Sequence, residues 1–217
     1  MCGRVIVLGS LMTDLVGYAA RLPTPGESLP GVDFQTFLGG KGCNQAVAAA
    51  RSGAQVALIG RIGADAFGEG FFSTLATEGV DAAHVTRTGE AGTGVALIVI
   101  GADTGQNMIL ALPRANLTVT PDETIHALDA LARAENLTPL SPSPTRKGEA
   151  RMPGVFLAQL ETNLAAVEAG LRHAHALGLT TLLNTAPAPT TPLAADVFPL
   201  VDILIANEAE AMALTGV

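Results

Sequence analysis

The sequence predicts an α/β protein: a mostly parallel sheet with helices on both faces. Three observations carry this. The second half of the chain alternates strand and helix patterns, the signature of parallel strands joined by crossover helices. Of 217 residues, 48% are hydrophobic and 15% charged, enough apolar material for a sizeable core and too much for general disorder. Several predicted strands run directly into a carboxylate or an amide, and sheets of this class bind ligands beyond their carboxyl ends.

Each element follows from its local pattern. Residues 4–9 (RVIVLG) are a β-branched run and form the first strand. Residues 11–38 lack helical periodicity and contain PTPGE and LPG turn signals, so short strands or a flap are expected there. Residues 44–52 form an alanine-rich helix stopped by Gly53, and 55–60 (QVALIG) a strand. Phe71, Phe72 and Leu75 set a helix over 67–78 that ends at Gly79. Residues 94–101 and 107–112 are a hairpin or neighbouring strands. Thr120, Pro121 and Glu123 open a helix as N-cap, first-turn proline and capping-box partner. Then come a strand at 155–160, a helix marked by Leu164, Val167 and Leu171, strands at 180–184 and 202–207, and a helix from 208 to 215. Residues 136–154, rich in Pro and Ser with a basic cluster, are expected to be a flexible insertion.

Charge and composition exclude several function classes. The net charge of −8, with no basic stripe, argues against a nucleic-acid partner. No apolar run approaches the roughly 20 residues of a membrane span. The N-terminus reads as a strand and not a signal peptide. Cys2 and Cys43 form no metal-type spacing, and a reduced, cytoplasmic setting is the expectation.

Polar residues gather on one predicted rim. The first strand leads to Asp14, VFLAQL to Glu161, TTLL to Asn184, and DILIA to Asn207 with Glu208 and Glu210 beyond. Lys41 and Asn44 join from the glycine-rich stretch 37–53 (FLGGKGCNQAVAAARSG). Each residue alone has a structural explanation: Asp14 as a turn cap, the asparagines as turn formers, the glutamates as helix-start charges. Their convergence points to a polyhydroxylated ligand, with carboxylates able to hold Mg²⁺ directly or through water. The glycine loop itself fails two nucleotide tests. A Walker A loop needs glycine at position 35 and Ser or Thr at 42, which hold Gln35 and Gly42. A GxGxxG fingerprint starting at Gly40 meets Gln45 and does not follow the first strand. A dehydrogenase is disfavoured for the same reason.

These residues also carry a resemblance. GGKGCNQAVAAARSGAQVALIGRIGADAFG (39–68) is similar to the first signature of the ribokinase-type (PfkB) carbohydrate kinases, and within that family the ribokinases are nearest. VLGSLMTD (7–14), PTPGES (23–28), TGVALI (93–98), AQLE (158–161), LNTAPAP (183–189) and ILIANEAEAMALTG (203–216) extend it over nearly the whole chain. The resemblance implies a three-layer α/β sandwich with a small β-sheet lid built from about 11–38 and 93–112. It also implies ATP-dependent phosphorylation of a sugar hydroxyl. Asp14, Gly40, Lys41, Asn44 and Glu161 would contact the sugar and Asn184 would lie near phosphate transfer. Asn207 and Glu210 would match an N-x-x-E motif linked to Mg²⁺ and phosphate placement. A monovalent cation and a homodimer through the lid are implied too.

Four departures stand out. Met12 occupies a position where ribokinases offer an Asn to the sugar, and a thioether lacks amide donors. Arg114 stands for a glycine and Thr185 for a proline. The family's second signature, a Gly-Ala-Gly-Asp stretch, has no match. By the resemblance, its catalytic Asp would lie beyond Val217, and no residue of 1–217 is assigned that role. The expectation is therefore a kinase chain lacking its C-terminal third and inactive alone, with a non-catalytic remnant or sugar-binding protein as the alternative.

Overall fold

The computed structural model describes residues 3–133, 154–189 and 191–216. Two sheets organise them. The larger has six parallel strands: β1 (Arg4–Leu8), β4 (Gln55–Gly63), β5 (Val80–Thr88), β8 (Val155–Gln159), β9 (Thr180–Asn184) and β10 (Ile203–Ile205). Their order is β10-β9-β8-β1-β4-β5. The smaller has four strands in the order β3-β2-β6-β7: β2 (Met12–Ala19), β3 (Gly31–Gly39), β6 (Gly94–Gly101) and β7 (Asn107–Leu112). Its central pair, β2 and β6, is parallel, and both outer pairs are antiparallel.

Strand alternation splits the core in two. Ile6, Leu8, Ala57, Ile59 and Phe156 face α3 (Pro121–Arg133) and α4 (Leu164–Ala176). Val7, Val56 and Leu58 face α1 (Lys41–Arg51) and α2 (Phe71–Thr77), meeting Ala46, Phe71 and Leu75. The result is three layers, helix–sheet–helix. Helix α5 (Glu208–Thr215) follows β10.

Several expectations shift. Helix α1 begins at Lys41 and not at residue 44, so the lysine is its first residue. Helix α2 is shorter than 67–78, because Gly68 and Gly70 lead into it through turns. Strand β5 was not expected: VDAAHVTRT is interrupted by Asp81, His84 and Arg87, and it forms the sheet's edge. Residues 11–38 hold two long strands instead of short ones. The expected capping box of α3 is present, with Glu123 accepting from Thr120 N at 2.9 Å and donating its own N–H to Thr120 Oγ1 at 3.3 Å. Almost all of the expected insertion 136–154 lies outside the described residues, as do Cys2 and Val217.

Two regions present apolar surface. Strand β7 is exposed along its length, with Met108, Ile109, Leu110 and Leu112, and β3 adds Val32 and Phe34. At the edge of the large sheet, Ile203, Leu204 and Ile205 of β10 are each about half exposed.

Candidate functional site

The site is built where β1 ends, β3 feeds α1, and β8 ends. Gly40 enters the helix at φ 91°, a left-handed conformation that favours glycine. Gly42 lets α1 approach the end of β1: a Cβ there would sit 2.4 Å from Gly9 C. These glycines bring the first-turn N–H groups of α1 against protein acceptors. Lys41 N donates to Glu161 Oε2 at 2.9 Å, Gly42 N to Ser10 Oγ at 3.3 Å, and Cys43 N to Ser10 O at 2.9 Å. Ser10 Oγ in turn donates to Glu161 Oε2 at 2.6 Å. The helix N-terminus is therefore occupied by a carboxylate and a serine, which agrees with the failed phosphate-loop tests. It also explains Lys41: its unfavourable charge at the positive helix end is offset by Glu161 at that same end.

Asp14 does not sit at the end of a strand of the large sheet. It lies in β2, paired with Phe37 of β3 and Ala96 of β6. Its carboxylate lies beside Gly39, where a Cβ would be 2.5 Å from Oδ2. Burial, and then the nearby charge of Glu161, raise its pKa above the ordinary carboxylate value. Two mutually repelling carboxylates held partly out of water mark a site with hydrogen-bond acceptors available to a ligand. Glu161 Oε1 and the Lys41 ammonium have no protein partner among the described residues. Asn44 lies one helical turn further on, exposed, and lines an adjoining cleft of about 380 Å³ with Leu38, Cys43 and Thr74. The Cys43 thiol at its base is pushed up to about 11 by burial.

Asn184, Asn207 and Glu210 form a second group. Strand β10 is three positions from β1 in the sheet, so this group is about 14 Å from the Ser10 end at the usual strand spacing. Asn207 and Glu210 are locked together. The Asn207 side chain accepts from Glu210 N at 2.8 Å and its Nδ2 donates to Glu210 Oε1 at 3.1 Å; Asn207 N donates to Oε2 at 3.0 Å. This is a complete capping box on α5, so the helix-start explanation of both residues holds alongside any ligand role. Each Glu210 oxygen accepts one bond from Asn207 and keeps a second lone pair, which a hard cation or its water could use. Among the described residues, no three His, Cys, Asp or Glu side chains cluster as a metal site. The catalytic Asp that the resemblance puts beyond Val217 falls outside the described residues, which end at Gly216.

Sequence reasoning missed several residues that shape the site. Ser10 bridges β1, α1 and Glu161, and its only signal is a small polar residue directly after the first strand. Asn116, in the turn after β7, carries no local signal of its role. It is fully buried and clasps the backbone of Leu11, accepting from its N–H and donating to its C=O, both at 2.9 Å. Thr93 and Asp65 form a third knot, through Thr93 N to Asp65 Oδ2 at 2.8 Å and Thr93 Oγ1 to Oδ1 at 2.6 Å. Gln159, fully buried at the end of β8, donates to Gln45 Oε1 at 2.5 Å.

The chain is similar to known carbohydrate kinases. A ribokinase of Staphylococcus aureus is 35% identical over 218 residues, covering 100% of this chain and 64% of its own length. A deoxyribokinase of Salmonella typhi is 32% identical over 212 residues, covering 98% of this chain and 62% of its own. A solved Arabidopsis thaliana ribokinase, complexed with ribose and ATP, matches with a TM-score of 0.77 at 26% identity, covering 100% of this chain and 64% of that one. The chain thus spans somewhat less than two thirds of the length of these relatives. The family model described as pfkB family carbohydrate kinase matches residues 3–217. This chain belongs to the pfkB family of carbohydrate kinases.

Proposed function

We propose that the protein acts in the ATP-dependent phosphorylation of a sugar hydroxyl, and that these residues supply the sugar-binding part of the site. The observation that carries this reading is the cluster of Asp14, Lys41 and Glu161 around the α1 N-terminus, whose N–H groups are already filled. A phosphate has no place there, whereas sugar hydroxyls suit it. Asp14 and Glu161 accept from hydroxyls, and Lys41 donates. Gly40 lets the backbone come close, and Asn44 reaches the ligand from the flank. The four-stranded sheet acts as a lid that excludes water, which would otherwise compete as phosphoryl acceptor. Its exposed β7 and β3 side chains support a homodimer through the lid.

Asn184, Asn207 and Glu210 serve the phosphate side. Asn207 and Glu210 would hold Mg²⁺ through water, and Mg²⁺ bound with ATP offsets charge on the phosphates. The capping box keeps Glu210 oriented for that contact. General-base catalysis needs a group within hydrogen-bond reach of the attacking hydroxyl. We assign that group to the further third of the relatives' length. Residues 1–217 alone are then expected to give no ATP-dependent sugar phosphorylation in a coupled assay; robust turnover would contradict this division of labour.

One observation favours a particular sugar. Met12 lies two residues before Asp14 on β2, so both side chains share a face. Met12 is almost fully buried, and a thioether cannot hydrogen-bond a hydroxyl as an amide does. A sugar lacking one hydroxyl fits this wall better than ribose. In calorimetric titrations 2-deoxyribose should bind more tightly than ribose, and Met12→Asn should reverse the order. Tighter ribose binding by the parent chain would refute the preference.

A further inference from the structure

Arg114 is the one non-glycine residue with positive φ among the described residues, at 47°. It opens the 3-10 turn Arg114–Thr118 directly after β7 and Pro113. A side chain in this conformation is retained only where its surroundings hold it. Here the holding contacts are visible. Its Nη1 donates to Thr93 O at 3.1 Å. Its guanidinium lies over Gly92, where a Cβ would fall 1.9 Å from Nη2 and 2.3 Å from Cζ. Burial raises the Asp65 carboxyl, but hydrogen bonds from Thr93 and Gly68, with a smaller contribution from the Arg114 charge, hold it below its ordinary value.

The location gives these contacts a consequence. The four-stranded sheet joins the body through four connections, and three of them meet here. Loop 89–93 leads into β6, turn 114–118 leaves β7, and Leu11 leads into β2 and is clasped by Asn116 of the same turn. Asp65, in the loop after β4, receives Thr93 N and Thr93 Oγ1. Ala115 N donates to Gly92 O at 2.9 Å, closing the knot.

We infer that Arg114 is a positioning residue that restrains the swing of the small sheet over the Asp14–Glu161 rim, by tying loop 89–93 to the turn that leaves β7. Glycine at this position would satisfy the backbone and keep the Ala115–Gly92 bond, but it would lose the second tie, from Arg114 Nη1 to Thr93 O. The effect on sugar binding rests on the kinase reading; the restraint itself does not.

The test is amide hydrogen exchange by NMR on residues 1–217 and the variants Arg114→Gly, Arg114→Asn and Arg114→Lys. Asn tolerates a left-handed backbone but cannot reach Thr93, so it separates strain from tether. Exchange at Thr93 and Ala115 should rise about tenfold in the Gly and Asn variants, the loss of one charge-assisted bond, with Val7 and Leu8 of β1 unchanged. The Lys variant should recover part of the protection. Unchanged exchange at Thr93 and Ala115, or a rise shared equally by β1, would overturn the restraint. In parallel, ribose and 2-deoxyribose affinity should fall several-fold in Arg114→Asn. Unaltered affinity alongside faster exchange would overturn the link to the rim. A parent chain that binds neither sugar would count against the kinase reading, leaving the exchange result to decide the role of Arg114.

Discussion

The residue scale is where chemistry and stability conflict. Asp14 is partly buried near Glu161, and both effects raise its pKa in the folded state. Its contribution to folding is thus most favourable below the unfolded carboxylate value. It declines as pH rises through the carboxylate range to the raised folded value, and stays lower above it. Asp14→Asn should melt higher than the parent at neutral pH, with the gap closing in acid, as scanning calorimetry at the two pH values would register. The same variant should lose sugar affinity, the usual cost of a site held in a strained charge state. A melting temperature that falls at neutral pH would count against the repulsion. Gly42 is limited by space instead: with a Cβ 2.4 Å from Gly9 backbone carbon, something rigid must move. Gly42→Ala should cost about 1–3 kcal/mol in urea unfolding, and a neutral result would mean that α1 is free to slide. Lys41, Gly40 and Glu161 were legible in the sequence, because strand ends and a glycine run announce themselves. Ser10 and Asn116 were not. Their roles arise from contacts 151 and 105 residues away in sequence, and no local pattern encodes such a distance.

At the scale of elements, periodicity served helices and central strands well. The strands β1, β4, β8 and β9 are buried runs bounded by turn residues, and the α3 capping box is spelled out by Thr120, Pro121 and Glu123. The edges were harder. Strand β5 has only one neighbour, so its sequence needs less apolar character and gives a weaker signal. Helix α1 begins earlier than its alanine run because Glu161 and Ser10, supplied by other elements, satisfy its first N–H groups. Asn116 is the clearest element-level fastener, since it fills both backbone groups of Leu11 where β1 passes into β2. Asn116→Ala would strand a buried donor and acceptor, costing about 2 kcal/mol or more. Chemical denaturation should report that loss; a difference under about 0.5 kcal/mol would show that water or a neighbour replaces the amide.

On the scale of the whole molecule, the proposed function would separate two tasks along one sheet. The Ser10–Lys41–Glu161 contacts lie where β1 and β8 end, while Asn184, Asn207 and Glu210 lie where β9 and β10 end. Strand ends put all of these residues on one rim and only the family resemblance divides them; the strand order, which sets the distance between the groups, was not readable. The half-exposed Ile203, Leu204 and Ile205 at the β10 edge are a template for unwanted pairing. Residues 1–217 should accordingly associate with rising concentration, and Ile205→Lys should reduce light scattering without lowering the melting temperature. The central claim is that Asp14, Lys41 and Glu161 form a sugar site. Calorimetric titration of the chain and of Lys41→Ala with ribose and 2-deoxyribose addresses it most directly. Saturable binding of at least one sugar, weakened about tenfold or more by Lys41→Ala through loss of a charged donor, is the predicted result. Binding left unchanged by the substitution, or no binding of either sugar by the intact chain, would contradict it.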